Sequence, residues 1–85
     1  LMLNQDGKIV GRFVGKDERE LNWLADFFNT HGYVDLKSLA FAMGTSEGVA
    51  HFYADKLMRE GLIEAHYPYG DDYLVYVAMW SRFEK

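Results

Sequence analysis

The sequence predicts a small α+β domain: three helices followed by a β-hairpin, with an extra β segment ahead of them. Three observations carry that reading. Apolar residues recur at helical spacing in 18–30 (Leu21, Leu24, Ala25, Phe28), then again through 36–43 and 46–60. Gly44 and Gly61 fall where those last two segments must stop, and glycine tolerates the backbone that stops a helix. From Leu62 to Trp80 the composition turns to β-formers on either side of Pro68-Tyr69-Gly70-Asp71-Asp72, a turn-rich tip.

Each element has its own local reason. Asn4 to Gly15 reads as a hairpin or strand pair, because Asp6-Gly7 is a turn signal among Ile9, Val10, Phe13 and Val14. Asp17 is the expected N-cap of the first helix, with Glu20 three residues on, and Gly32 its expected left-handed end. Tyr33-Val34 reads as a short extended link. Asp35 is placed to cap the second helix, whose inward face is Leu36, Leu39, Ala40 and Met43. Thr45 or Ser46 should cap the third, with Glu47 in its first turn and Val49, Ala50, Tyr53, Leu57 and Met58 on its buried face. Leu62–Tyr67 and Tyr73–Trp80 are the expected strands. The second is apolar on both faces, which calls for a cover on both sides, from the N-terminal strands or from a second subunit.

A chain of 85 residues accommodates one domain, and 49% hydrophobic with 16% aromatic residues is rich enough for a core without staples. With no cysteine, a disulfide framework and a Cys-based zinc site are both excluded. The apolar run Leu74–Trp80 is far too short to span a bilayer, and no segment reads as a signal peptide, so a cytoplasmic protein without membrane contact is expected. Leu1 ahead of Met2 suggests that Met2 is the natural first residue or that the chain is a piece of a longer one. No cysteine nucleophile, Gly-rich phosphate loop or informative Ser–His spacing is present, which argues against an enzyme and against a cofactor. His51 and Asp55 lie four apart, a spacing that can hold a metal, but it more often makes a surface hydrogen bond, and no metal is expected.

The formal charge of −4 is unevenly spread. Residues 46–72 set Lys56 and Arg59 against Glu47, Asp55, Glu60, Glu64, Asp71 and Asp72, whereas the first sixteen residues carry Lys8, Arg12 and Lys16 against Asp6 alone. Nucleic-acid binders need a basic stripe, since released counterions supply much of their affinity. Here such a stripe can come only from the chain ends.

The stretch Leu36–Glu64, with Ala40 where two helices cross, Gly44 in the turn and Leu39, Met43, Ala50 and Tyr53 to lock them, runs through Arg59-Glu60-Gly61-Leu62-Ile63-Glu64 into strand, turn and strand. That order resembles the winged-helix (winged helix-turn-helix) family over about residues 18–80. It departs from the pattern at Tyr53, usually a smaller aliphatic residue, and in the added N-terminal β segment. The resemblance implies a DNA-binding domain, of a transcriptional regulator or a DNA-processing accessory, nucleoid-associated and inserting its third helix into the major groove of double-stranded DNA as a dimer. Ser46, Glu47, His51, Phe52 and Asp55 would then read bases, while Lys56, Arg59 and the arm residues Lys8, Arg12 and Lys16 would hold phosphates.

The charge map points instead to a second reading, a protein-interaction module in a larger complex. Phe52, Tyr69, Tyr76 and Trp80 would form the contact, as aromatics do at interfaces, and the acidic third helix and wing would meet a basic protein partner or a second copy of the chain.

Overall fold

The computed structural model describes residues 1–83, and the expected elements appear in the expected order. They are β1 (Met2–Leu3), β2 (Ile9–Val10), α1 (Glu18–Thr30), β3 (Tyr33–Asp35), α2 (Leu36–Met43), α3 (Glu47–Arg59), β4 (Ile63–His66) and β5 (Val75–Ala78). A 3-10 turn over Met79–Phe83 follows. This is a mixed α+β fold with two small antiparallel sheets, β1–β2 and a three-stranded sheet ordered β3-β5-β4. No helix among the described residues is long and apolar enough to cross a membrane.

The helix ends follow local chemistry. Asp35 is extended and its Oδ2 accepts from the Ser38 N–H at 3.1 Å; Ser46, not Thr45, caps α3, its Oγ accepting from the Val49 N–H at 3.2 Å. Gly44 takes the left-handed conformation (φ 70°), so the Thr45 N–H reaches back to the Ala40 carbonyl at 3.0 Å and α2 closes.

Two expectations at the ends of α1 are corrected. Asp17 makes no side-chain cap, because its φ and ψ of −103° and 22° do not aim the carboxylate at the first-turn N–H groups. Glu18 reaches back instead, accepting from the Gly15 N–H at 3.1 Å. Gly32 is not left-handed; glycine is needed there because a Cβ would sit 2.9 Å from the Ser81 Cβ.

The core is a narrow seam between three helices and one sheet face. Leu24 and Phe28 of α1, Leu39 of α2, Ala50, Ala54 and Leu57 of α3 and Tyr76 of β5 are all fully buried. Ala50, Ala54 and Leu57 follow i, i+4, i+7 spacing, so α3 presents small residues that let its neighbours approach. Val49, expected inside, is exposed, and Ala54 takes its share of the seam.

The sheet register decides which side of each strand meets the helices. Val34, Tyr76 and Ala65 are directly opposite one another on the inner face, so Tyr33, Asp35, Val75, Val77, Glu64 and His66 share the outer one. The last strand ends at Ala78, earlier than the sequence suggests. Ser81 folds back, its hydroxyl meeting the carbonyls of Ala78 (2.7 Å) and Gly32 (3.1 Å), and the chain turns away.

The N-terminal segment docks on α1 rather than over the outer face of β5. Its β pair lies at Met2–Leu3 and Ile9–Val10, earlier and shorter than expected, and Gly7 (φ 83°) sits in the connecting turn. Two asparagines a heptad apart on α1 hold it. The Asn22 side chain accepts from the Phe13 N–H at 2.7 Å and donates to the Phe13 carbonyl at 3.1 Å; Asn29 does the same for Ile9 at 2.8 Å each way. Each carboxamide stands in for a strand's peptide group, so irregular backbone is satisfied without a partner strand. Asn22→Leu strands the Phe13 backbone groups beneath an apolar side chain. We expect a loss of about 1–3 kcal/mol in urea unfolding, with faster amide exchange at Phe13 and no change at Leu57.

Candidate interaction face

α3 places its first two turns outward against the hairpin of β4 and β5. Ser46, Glu47, Gly48, His51 and Phe52 are exposed, Phe52 by 54%, while Asp55 and Lys56 are half-covered. The Glu47 and His51 side chains, with Asp35, Lys37, Tyr67, Asp71, Asp72 and Tyr73, line an open groove of about 510 Å³ between α3 and the hairpin tip. Asp35 and Tyr73 also belong to a second groove of about 400 Å³, lined by Tyr33, Val34, Ser38, Pro68, Tyr69 and Val75. The two grooves form one surface: acidic on the α3 side, tyrosine-rich on the side of β3.

Charge is concentrated on this surface. Four carboxylates, Asp35, Glu47, Asp71 and Asp72, line the first groove against the single ammonium of Lys37. The Ser38 side chain, opposed by burial and supported by the Ser38 N–H, holds the Asp35 carboxyl below its usual range, so it stays ionised as it caps α2.

Most of the cations the DNA reading requires are engaged within the domain. Lys8 donates from Nζ to the Asn29 carbonyl at 2.9 Å and lies 4.2 Å over the Trp80 ring, which ties it to the C-terminal end of α1. Arg12 pairs with Asp26 on α1 at 3.4 Å. Arg59 pairs with Asp55 one turn earlier at 2.7 Å, which occupies an expected phosphate contact and an expected base reader together. Lys56 covers the Phe52 ring at 4.6 Å. Lys16 is exposed, but it belongs to the segment docked on α1.

Two aromatics expected at a partner interface are structural instead. Tyr76 is fully buried, edge-on to Phe28, and its hydroxyl meets His51 Nδ1 at 2.6 Å. Trp80 is half-buried and donates from its indole N–H to the Phe28 carbonyl at 2.6 Å. Phe52 and Tyr69 remain on the surface, Tyr69 by 83%. Tyr33, part of the expected Tyr33-Val34 link and not an expected contact residue, is 74% exposed. Its signal was strand alternation: Val34 must face the helices, so Tyr33 must face outward.

His51 and Asp55 do not form a ligand pair, since one is held by Tyr76 and the other by Arg59. Among the described residues no three His, Asp or Glu groups converge as a metal site would require. No family model, curated protein or solved structure matches the chain.

Burial first, then the neighbouring Tyr67 and Asp55, pushes the Tyr76 phenol well above its usual range. The unfolded chain ionises this phenol at about pH 10, while the folded chain keeps it protonated there. Above that pH the folded state binds the extra proton, so stability falls as pH rises. Urea midpoints should therefore drop between about pH 9 and pH 11. Tyr76→Phe should weaken that slope while costing about 0.5–1.5 kcal/mol at neutral pH for the lost hydrogen bond.

Proposed function

We propose that this domain is a winged-helix protein-interaction module whose α3 and hairpin together bind a basic partner. One observation carries the reading: the groove between α3 and the hairpin tip sets four carboxylates against one lysine, with His51, Tyr67 and Tyr73 beside them. A phosphate backbone entering that groove would meet like charge at the position where the family would offer a base-reading helix. A partner bearing lysines and arginines would meet complementary charge, which speeds encounter and sets orientation. Phe52 and the exposed tyrosines supply the apolar contact area that such interfaces use.

A second reading, double-stranded DNA held by α3 in the major groove, draws support from the junction of α2 and α3. Gly44 turns the chain sharply and Ser46 caps α3, so Ser46, Glu47 and Phe52 stand exposed at its N-terminal end. That support is analogy of fold.

Anisotropy titrations separate the two readings. A labelled Lys/Arg-rich peptide should bind the domain more tightly at about 20 mM than at about 150 mM salt, and random duplex DNA should not bind at either. The triple variant Glu47→Lys, Asp71→Lys, Asp72→Lys should abolish peptide binding while lowering Tm only slightly, because all three side chains lie at the surface and only Glu47 contributes to stability, through the dipole at the start of α3. Salt-sensitive duplex binding that Lys56→Glu with Arg59→Glu abolishes would reverse the order of the readings.

A further inference from the structure

The outer edge of β3 has no neighbouring strand, since β3 pairs with β5 alone and ends the three-stranded sheet. Backbone bonds from the Ala78 N–H to the Gly32 carbonyl (2.7 Å) and from the Leu36 N–H to the Leu74 carbonyl (2.9 Å) fix the alternation. Gly32, Val34 and Leu36 therefore turn their backbone groups inward to β5, and the N–H and C=O of Tyr33 point outward, with no described residue bonded to them. A sheet edge left in this state is a template for an extended chain.

The groove beside that edge is built from tyrosine. Tyr33 and Tyr69 are the most exposed tyrosines described, and Tyr69 and Tyr73 lie 5.6 Å apart with their rings inclined at 46°. Asp35 reaches the same groove, and a carboxylate offers about four acceptor positions, so its cap to the Ser38 N–H leaves room for a further donor. Ring faces carry negative quadrupoles, and with an ionised carboxylate they make a surface that attracts a flat cation. Arginine fits this chemistry better than lysine: its guanidinium stacks on a phenol while its N–H fork meets the carboxylate. The acidic groove on the far side of Tyr73 and Asp35 extends the same charge preference along the ligand.

We propose that β3 and the tyrosine groove of Tyr33, Tyr69 and Tyr73 take an extended, arginine-bearing segment of the partner protein, with one arginine side chain seated between the tyrosines and Asp35. The assignment rests on the basic-partner reading and says where on the face the partner lies. The strand edge supplies backbone hydrogen bonds at Tyr33. The groove selects the arginine, and every second ligand residue points the same way.

The probe is a fluorescein-labelled synthetic peptide alternating Arg and Thr, with the Lys–Thr and Asp–Thr versions as controls. Binding is followed by anisotropy and by amide shifts of the labelled domain. The Arg peptide should shift the amides of Tyr33, Asp35 and Tyr69, the Lys peptide should bind more weakly and the Asp peptide not at all. Tyr33→Ala and Tyr69→Ala should each raise Kd roughly tenfold, whereas Tyr33→Phe should retain most of the affinity. Asp35→Asn should also weaken binding roughly tenfold while α2 stays capped, because asparagine caps as well as aspartate. Binding that shifts only Glu47, His51 and Phe52, and that ignores both tyrosine variants, overturns the groove assignment and leaves the basic-partner reading standing. No binding of the Arg peptide overturns both. Dimerisation that protects the Tyr33 and Tyr69 amides overturns the groove assignment in favour of a second copy of the chain.

Discussion

Burial of Tyr76 is the constraint on which the remaining geometry depends. It sits on the central strand of the three-stranded sheet, is fully covered, and touches Phe28 of α1 and His51 of α3. A phenol at such a depth must have a hydrogen-bond partner, because an unmade bond there costs more than a made one contributes. His51 provides it from the exposed side of α3. One 2.6 Å contact thereby ties the helix to the sheet behind the hairpin, and α3 and the hairpin tip present a single surface. The same contact holds one face of His51 inward, so the imidazole on the groove is positioned rather than free to swing.

The N-terminal segment solves a different problem with the same economy. Met2 to Phe13 forms only a two-residue strand pair, so most of its backbone finds no ladder. Asn22 and Asn29 supply two peptide-like groups at the right spacing on α1, and Lys8 closes the site over Trp80. This docking has an electrostatic consequence. It ties Lys8 and Arg12 to α1, and the α3–hairpin face keeps its acidic character. Arg59 is likewise neutralised by Asp55 on its own helix. A surface of this sign disfavours phosphate and favours guanidinium, an argument from charge that is independent of any resemblance of fold.

The candidate site was legible in the sequence to very different degrees. Glu47, Asp71, Asp72 and Tyr69 could be placed at the surface because helix caps and turn tips are exposed by construction of the chain, and all four line the grooves. Tyr76 and Trp80 had the interface-like composition that misleads: large amphipathic aromatics serve a buried hydrogen bond as readily as a partner. Tyr33 lies in a short link, and alternation marks it as outward only once Val34 is known to face the helices. The engaged cations were illegible, since Lys8 meets Asn29 across twenty-one residues and Arg12 meets Asp26 across fourteen.

By itself, the sequence determined the number, order and approximate ends of the helices, the two glycine stops, the cap at Asp35, the cap of the third helix to within Thr45 or Ser46, and the excess of acid in residues 46–72. These are local properties: 3.6-residue periodicity, side chains that bond their own first turn, and glycine's access to positive φ act over a few residues and can be read there. Only the tertiary structure decided that Ala54 rather than Val49 lines the seam, that Gly32 exists to admit Ser81, and that the N-terminal segment docks on α1. It also decided which face of β3 and β5 looks outward. Strand side chains alternate with period two, so a shift of one residue would have buried Tyr33 and exposed Tyr76. The register that prevents it is set by long-range pairing, with Val34 opposite Tyr76 and Ala65 on the far side.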